Sequence, residues 1–183
     1  MKQLEFIFSG TGGQGVILLG VIMAETAINE GMNALQSQSY GPEARGGASR
    51  CEVIISQEEI FFPKVENPDY ILCISQAAAD KYAYGLSKDT VLILDDRIEL
   101  SKKTGTEKIY QLPILSTAHK KIGKEVTANI VSLGVLLEIT KLFSKEAIIH
   151  SVLNRVPKGT EKINTQAVEM GIGLVRKWQK KNA

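Results

Sequence analysis

Cysteine and histidine are scarce in this chain of 183 residues, and each shortage removes a class of chemistry. The two cysteines, Cys51 and Cys73, lie in separate apolar stretches with no Cys-x-x-Cys spacing. That excludes a disulfide framework and points to buried free thiols in a reducing compartment. The two histidines, His119 and His150, are far apart in the chain. Such a set cannot ligate an iron–sulfur cluster or a structural zinc ion, so no metal site is expected. Charge of one sign is missing too: 22 basic against 20 acidic residues leave a net +2. No strong field therefore argues for nucleic acid or an anionic membrane as partner. No apolar run approaches the roughly 18 residues of a membrane span, because glycines interrupt the uncharged stretch from Phe6 to Ala24. One lysine and then Glu5, without a sustained apolar segment, do not read as a secretory signal, and the chain is predicted to be cytoplasmic.

What is present reads as one ordinary domain. Apolar residues make up 44% and charged residues 23%, and a chain of this length buries roughly 70% of its unfolded surface in a single core. Strands are predicted at Gln3–Ser9, Asn33–Ser39, Ser49–Ser56, Tyr70–Ser75, Val91–Asp95 and Lys108–Leu112. Ile71-Leu72-Cys73-Ile74 and Val91-Leu92-Ile93-Leu94 are continuous apolar runs, as in strands covered on both faces. Helices are predicted between them at Gly15–Glu30, with Gly31 closing it, and at Gln76–Tyr84, closed by Gly85. Beyond Leu112 the pattern is helical throughout: Ser116–Ile122, Ala128–Leu142, Lys145–Asn154 capped by Ser144, and Glu161–Trp178. The expectation is an α/β fold with a Rossmann-like, mostly parallel sheet flanked by helices, and a helical C-terminal segment. A single domain spans 1–183, with its sheet part in 1–112 and its helical part in 113–183.

The most informative stretch is Gly10-Thr11-Gly12-Gly13-Gln14-Gly15, set between the first strand and the first helix. Gly10, Gly12 and Gly15 satisfy Gly-x-Gly-x-x-Gly in the context the motif requires. Glycines there let the backbone take positive φ and approach a neighbour, while the new helix presents unpaired N–H groups to an anion. A dinucleotide site also wants a carboxylate at the end of the second strand. Here Leu35-Gln36-Ser37-Gln38-Ser39 offers none, and Glu30 belongs to the end of the helix. No Gly-Lys-Ser/Thr follows, so the loop is not a Walker A motif. Anion binding and tight packing both stay open.

A second glycine segment, Ser39-Tyr40-Gly41-Pro42-Glu43-Ala44-Arg45-Gly46-Gly47-Ala48, joins two predicted strands. Gly46 and Gly47 beside Arg45 suit a backbone held close to something while a guanidinium grips a carboxylate or phosphate. An internal ion pair of Arg45 with Glu43 or another acid is the alternative. Five smaller features follow. Ile60-Phe61-Phe62-Pro63 is core or an exposed interface patch. Asp95-Asp96-Arg97 ends a strand as a cap or as ligand groups. His119 reads as an exposed helix residue, and His150 as a satisfied core or interface histidine. Trp178 is expected to anchor the last helix.

Taken together, the segments 10–16 and 39–47 resemble the gamma subunit of 2-oxoacid:ferredoxin oxidoreductases. Val65-Glu66-Asn67-Pro68-Asp69 and Ala128-Asn129-Ile130-Val131-Ser132-Leu133-Gly134 extend the match over nearly the whole chain. Tyr40-Gly41-Pro42-Glu43-Ala44-Arg45-Gly46-Gly47 looks more like the 2-oxoglutarate type than the pyruvate or indolepyruvate type. The resemblance implies an accessory subunit of a complex that converts a 2-oxoacid and coenzyme A to acyl-CoA, carbon dioxide and reduced ferredoxin. Thiamine diphosphate with magnesium and the iron–sulfur clusters are then implied on alpha, beta and ferredoxin-like subunits. This chain would carry no catalytic residue, and no cofactor is assigned to it alone. Gly10, Thr11, Gly12, Gly13, Gln14, Gly15, Arg45, Gly46 and Gly47 would touch coenzyme A or a neighbouring subunit. The isolated chain is a candidate homodimer. Two other readings remain: a stand-alone NAD(P)-binding reductase, and an interaction scaffold that binds no small molecule.

Overall fold

A computed structural model describes residues 3–39 and 47–182. The first strand, β1, is Leu4–Thr11, followed by helix α1, Val16–Asn29, then β2, Asn33–Ser39, and β3, Ala48–Ser56. Next come β4, Tyr70–Cys73, α2, Gln76–Tyr82, β5, Val91–Asp95, and β6, Ile109–Leu112. The helical part consists of a short α3, Ile114–Ser116, a π-helical turn over Thr117–Ile122, a 3₁₀ turn over Glu125–Thr127, and then α4, Ala128–Thr140, α5, Lys145–Arg155, and α6, Glu161–Asn182.

The six strands form one sheet in the order β2-β3-β1-β4-β5-β6. β1, β4, β5 and β6 run parallel, while β3 is antiparallel to both β1 and β2. Three of the five pairings are thus parallel, which makes the sheet mixed and mostly parallel. Alternation along each strand feeds two cores. Phe6, Phe8, Cys51, Val53, Leu72 and Ile93 face α1, α4, α5 and α6. Ile7, Ile54, Ile71, Cys73, Leu92 and Leu94 face α2 on the other side. Both faces are covered, as the continuous apolar strands predict.

Local chemistry sets the ends of the elements. α1 stops at a Schellman motif: the Gly31 N–H donates to the Ile28 carbonyl and the Met32 N–H to the Ala27 carbonyl, with Gly31 at φ 77°. The Ser144 hydroxyl accepts the Ala147 N–H and caps α5, as expected. α4 is buried from Ala128 to Glu138 because it lies between α1 and α6. The helical C-terminal segment therefore covers one face of the sheet and belongs to the core. Trp178 packs on Tyr110 of β6 with ring centroids 4.5 Å apart, the anchor foreseen for α6.

Candidate functional site

The carboxyl ends of β1, β4 and β5 come together at one pole of the molecule, where open α/β sheets hold their ligands. The glycine loop sits there and divides its glycines between two jobs. A Cβ on Gly10 would stand 2.5 Å from Gln14 Oε1 and 2.9 Å from the Ile74 side chain. One on Gly15 would stand 2.5 Å from Asn129 Nδ2, and Gly15 also holds φ at +70°. These two positions are consumed by packing. Gln14 laces the loop together: its Oε1 accepts the Thr11 N–H at 2.7 Å, and its Nε2 donates to the Ile74 carbonyl at 3.3 Å. Asn129 at the start of α4 donates to the Gly15 carbonyl at 3.3 Å, tying the loop to the helical part. Gly12 and Gly13 behave differently. Both are exposed, and neither has an atom within 4 Å of where a side chain would begin.

Gly12 and Gly13 form one wall of a cavity of about 690 Å³, facing Arg97, Ser116, His119 and Lys120. Arg97 is positioned by the buried Asp95 at the end of β5. Asp95 Oδ1 accepts the Arg97 Nε–H at 2.8 Å and Oδ2 accepts the Leu115 N–H at 2.8 Å, which also fixes the start of α3. Asp95 is thus a cap, and Arg97 still exposes 63% of its side chain. Next to it, partial burial and the Asp95 carboxylate raise the Asp96 carboxyl above its ordinary range, opposed by Arg97 and Lys120. His119 Nδ1 lies 3.0 Å from Glu125 Oε1 across the cavity rim, an ion pair when the imidazole is protonated. On its other side the glycine loop borders a second hollow of about 560 Å³, against Ile17, Val21, Ser49 and Arg155.

The described ends of the second glycine segment, Ser39 and Ala48, lie on strands beside the first loop. Thr11 pairs with Ala48 and Ser39 with Arg50, so both ends of the segment leave the sheet at the same pole. Gly47 is half-buried just before β3. Arg45 and Gly46 lie outside the described residues, as does a Glu43–Arg45 pair. Asp95-Asp96-Arg97, read from the sequence as a cap or as ligand groups, divides between the two, Asp95 capping and Arg97 lining the cavity, whereas Lys120 was not foreseen there. His119 is exposed as expected and lines the same cavity. The core reading of His150 is corrected: α5 buries Ile148, Ser151 and Val152, which turns His150 to solvent.

Cluster chemistry does not fit these residues. Cys51 and Cys73 face opposite sides of the sheet, and burial pushes the first thiol up to about 11 and the second to about 12. No three His, Cys, Asp or Glu residues gather as metal ligands among the described residues. Among the same residues, no helix is long and apolar enough to cross a membrane.

The family model for pyruvate ferredoxin/flavodoxin oxidoreductase matches residues 5–174. A 2-oxoglutarate synthase subunit KorC of Methanocaldococcus jannaschii is 42% identical, with 94% of each chain covered. The subunit KorC of Methanothermobacter marburgensis is 40% identical over 96% of this chain and 98% of its own length. Among solved structures, the gamma subunit of a keto/oxoacid ferredoxin oxidoreductase from Geobacter sulfurreducens superimposes with a TM-score of 0.80. It is 44% identical over 92% of this chain and 95% of that one.

Proposed function

Because the chain belongs to the pyruvate ferredoxin/flavodoxin oxidoreductase family, we propose that its glycine-loop pole is where it meets coenzyme A and the catalytic subunits of a 2-oxoglutarate-using complex. The chain is an accessory subunit of a 2-oxoacid:ferredoxin oxidoreductase, in an assembly that uses thiamine diphosphate and iron–sulfur clusters. The partners in this reading are alpha, beta and ferredoxin-like subunits. One observation carries the site: Gly12 and Gly13 leave bare peptide edges facing Arg97 and Lys120 across a cavity. That is a surface for gripping anions. Backbone N–H groups at a helix start and two flexible cations suit the phosphates of coenzyme A, whose thiol is the acyl acceptor when bound. This chain's own work is to orient that molecule, through Gly12, Gly13, Arg97 and Lys120, and through Arg45, Gly46 and Gly47 on the adjoining segment. The 2-oxoglutarate assignment rests on the likeness to the KorC subunits. A nicotinamide reductase is disfavoured, since β2 ends in Gln38-Ser39 with no carboxylate for a ribose.

The test is co-expression with candidate alpha, beta and ferredoxin-like subunits, followed by 2-oxoglutarate-dependent reduction of ferredoxin. Activity is expected to require this chain and to fall when Arg45→Ala and Gly46→Ala are combined. Undiminished turnover without the chain would overturn the reading. NADH is expected to leave the melting temperature of the isolated chain unmoved, and stabilisation by it would revive the reductase.

A further inference from the structure

Phe61 and Phe62 are 85% and 52% exposed, adjacent in sequence, and far from the site described above. They sit on the connection from β3 to β4, at the pole opposite the glycine loop, because β3 ends where β1 and β4 begin. Two exposed phenylalanines on a loose loop would mean little. This loop is fastened on both sides of them. Before them, the Glu58 N–H donates to Ser56 Oγ at 3.0 Å and the Glu58 carbonyl accepts from Asn33 Nδ2 at 3.1 Å, while Ile60 packs against the α2-side core. After them, Val65 is buried and its N–H donates to Glu52 Oε2 at 3.2 Å. The Glu66 and Asn67 N–H groups both donate to Glu5 Oε2 at 3.0 Å. The rings are therefore displayed on a fixed frame, so that little ordering entropy is left to lose on binding. The exposed residues that flank them in sequence, Glu58, Glu59 and Glu66 against Lys64, give the segment an acidic balance.

We propose that the Ile60–Pro63 segment docks a companion subunit of the same complex, its two rings entering an apolar pocket edged by lysine or arginine side chains. The identity of the partner rests on the accessory-subunit reading, whereas the contact itself rests on the exposed rings, their pinned flanks and the acidic balance of the segment. It gives the chain two working poles, the glycine end for the reaction side and the phenylalanine end for attachment.

The experiment uses the co-expressed complex with a tag on a catalytic subunit and measures how much of this chain stays bound through washes of rising salt. Phe61→Ser with Phe62→Ser is expected to weaken retention at least tenfold while leaving the melting temperature of the isolated chain unchanged. Glu58→Lys with Glu59→Lys is expected to weaken it at low salt, with the deficit closing as salt screens these charges. Retention of both variants at the wild-type level would overturn the proposal. So would a self-association of the isolated chain that the double serine variant abolishes while retention is untouched. If the wild-type chain itself is not retained, the subunit reading fails, and the proposed partner with it.

Discussion

At the strand-to-helix turn, the same added methyl group has opposite consequences a few residues apart. On Gly15 it meets the Asn129 amide and a backbone at φ +70°, a conformation that costs a non-glycine residue about 1–2 kcal/mol before the collision is counted. Gly15→Ala is expected to lower stability by about 2–4 kcal/mol in urea unfolding. On Gly12 it meets open space, so Gly12→Ala is expected to leave stability within about 0.5 kcal/mol. The functional order reverses: Gly12→Ala narrows the cavity and should raise the KM for coenzyme A in the assembled complex. Arg97→Ala and Lys120→Ala should raise it as well, each with kcat nearly unchanged, as loss of uniform binding requires. A Gly12 variant that unfolds the chain, or cavity variants with unaltered KM, would place the site elsewhere.

Between elements, the crossing of α4 and α6 is the tightest contact in the helical part. A Cβ on Gly134 would run into the Val168 carbonyl oxygen, and one on Gly171 into that of Val131. Gly134→Ala is expected to cost about 1–3 kcal/mol, read as a fall in melting temperature of roughly 2–4 °C for each kcal/mol in a chain of this size. Beside that crossing, burial alone would raise the Glu138 carboxyl, but Arg176 at 3.1 and 3.2 Å and Lys141 hold it below its ordinary range. Its folded value lies under its unfolded value, so its contribution is present at neutral pH and disappears as pH falls through the carboxylate range. Wild type should therefore exceed Glu138→Gln in stability at pH 7 and approach it near pH 3. What the sequence made legible divides at this scale. Strands β4 and β5 showed in four-residue apolar runs, and α5 in its Ser144 cap. The antiparallel direction of β3 did not, because pairing with β1 is a long-range choice that no local period records. β1 was read as ending at Ser9, yet Gly10 and Thr11 pair with Ser49 and Ala48, partners that compensate for glycine's poor strand propensity. The turn over Thr117–Ile122 was read as α-helical, since a π turn has nearly the same side-chain spacing over so short a span. The cavity was half legible: glycines announce a loop, but Arg97 and Lys120 reach it through the strand order and the chain after β6.

Over the whole molecule, the two thiols report on the integrity of the sheet, because Cys51 and Cys73 are fully buried on its two faces. Burial raises Cys51, against a hydrogen bond from Gln36 and with Glu52 adding to the rise, and burial alone raises Cys73, to about 11 and about 12. An unfolded cysteine ionises near 8.5. The folded values are the higher ones, so the stability tied to these thiols is complete below about pH 8.5 and is lost as pH climbs toward 11 and 12. At pH 10 the unfolded chain gains about 2 kcal/mol per thiol from ionisation that the folded chain forgoes. Wild type should thus lose about 4 kcal/mol more between pH 7.5 and pH 10 than a Cys51→Ala, Cys73→Ala variant, measured by urea unfolding under reducing conditions. Parallel losses in the two proteins would mean that the thiols meet water in the folded state. Neutral, enclosed thiols also react slowly with disulfide reagents, at a rate set by opening of the sheet. If assembly with the catalytic subunits holds both poles of that sheet, as proposed above, labelling of Cys51 and Cys73 should be slower in the complex than in the free chain. A labelling rate indifferent to assembly would show that the partners grip a surface uncoupled from the core.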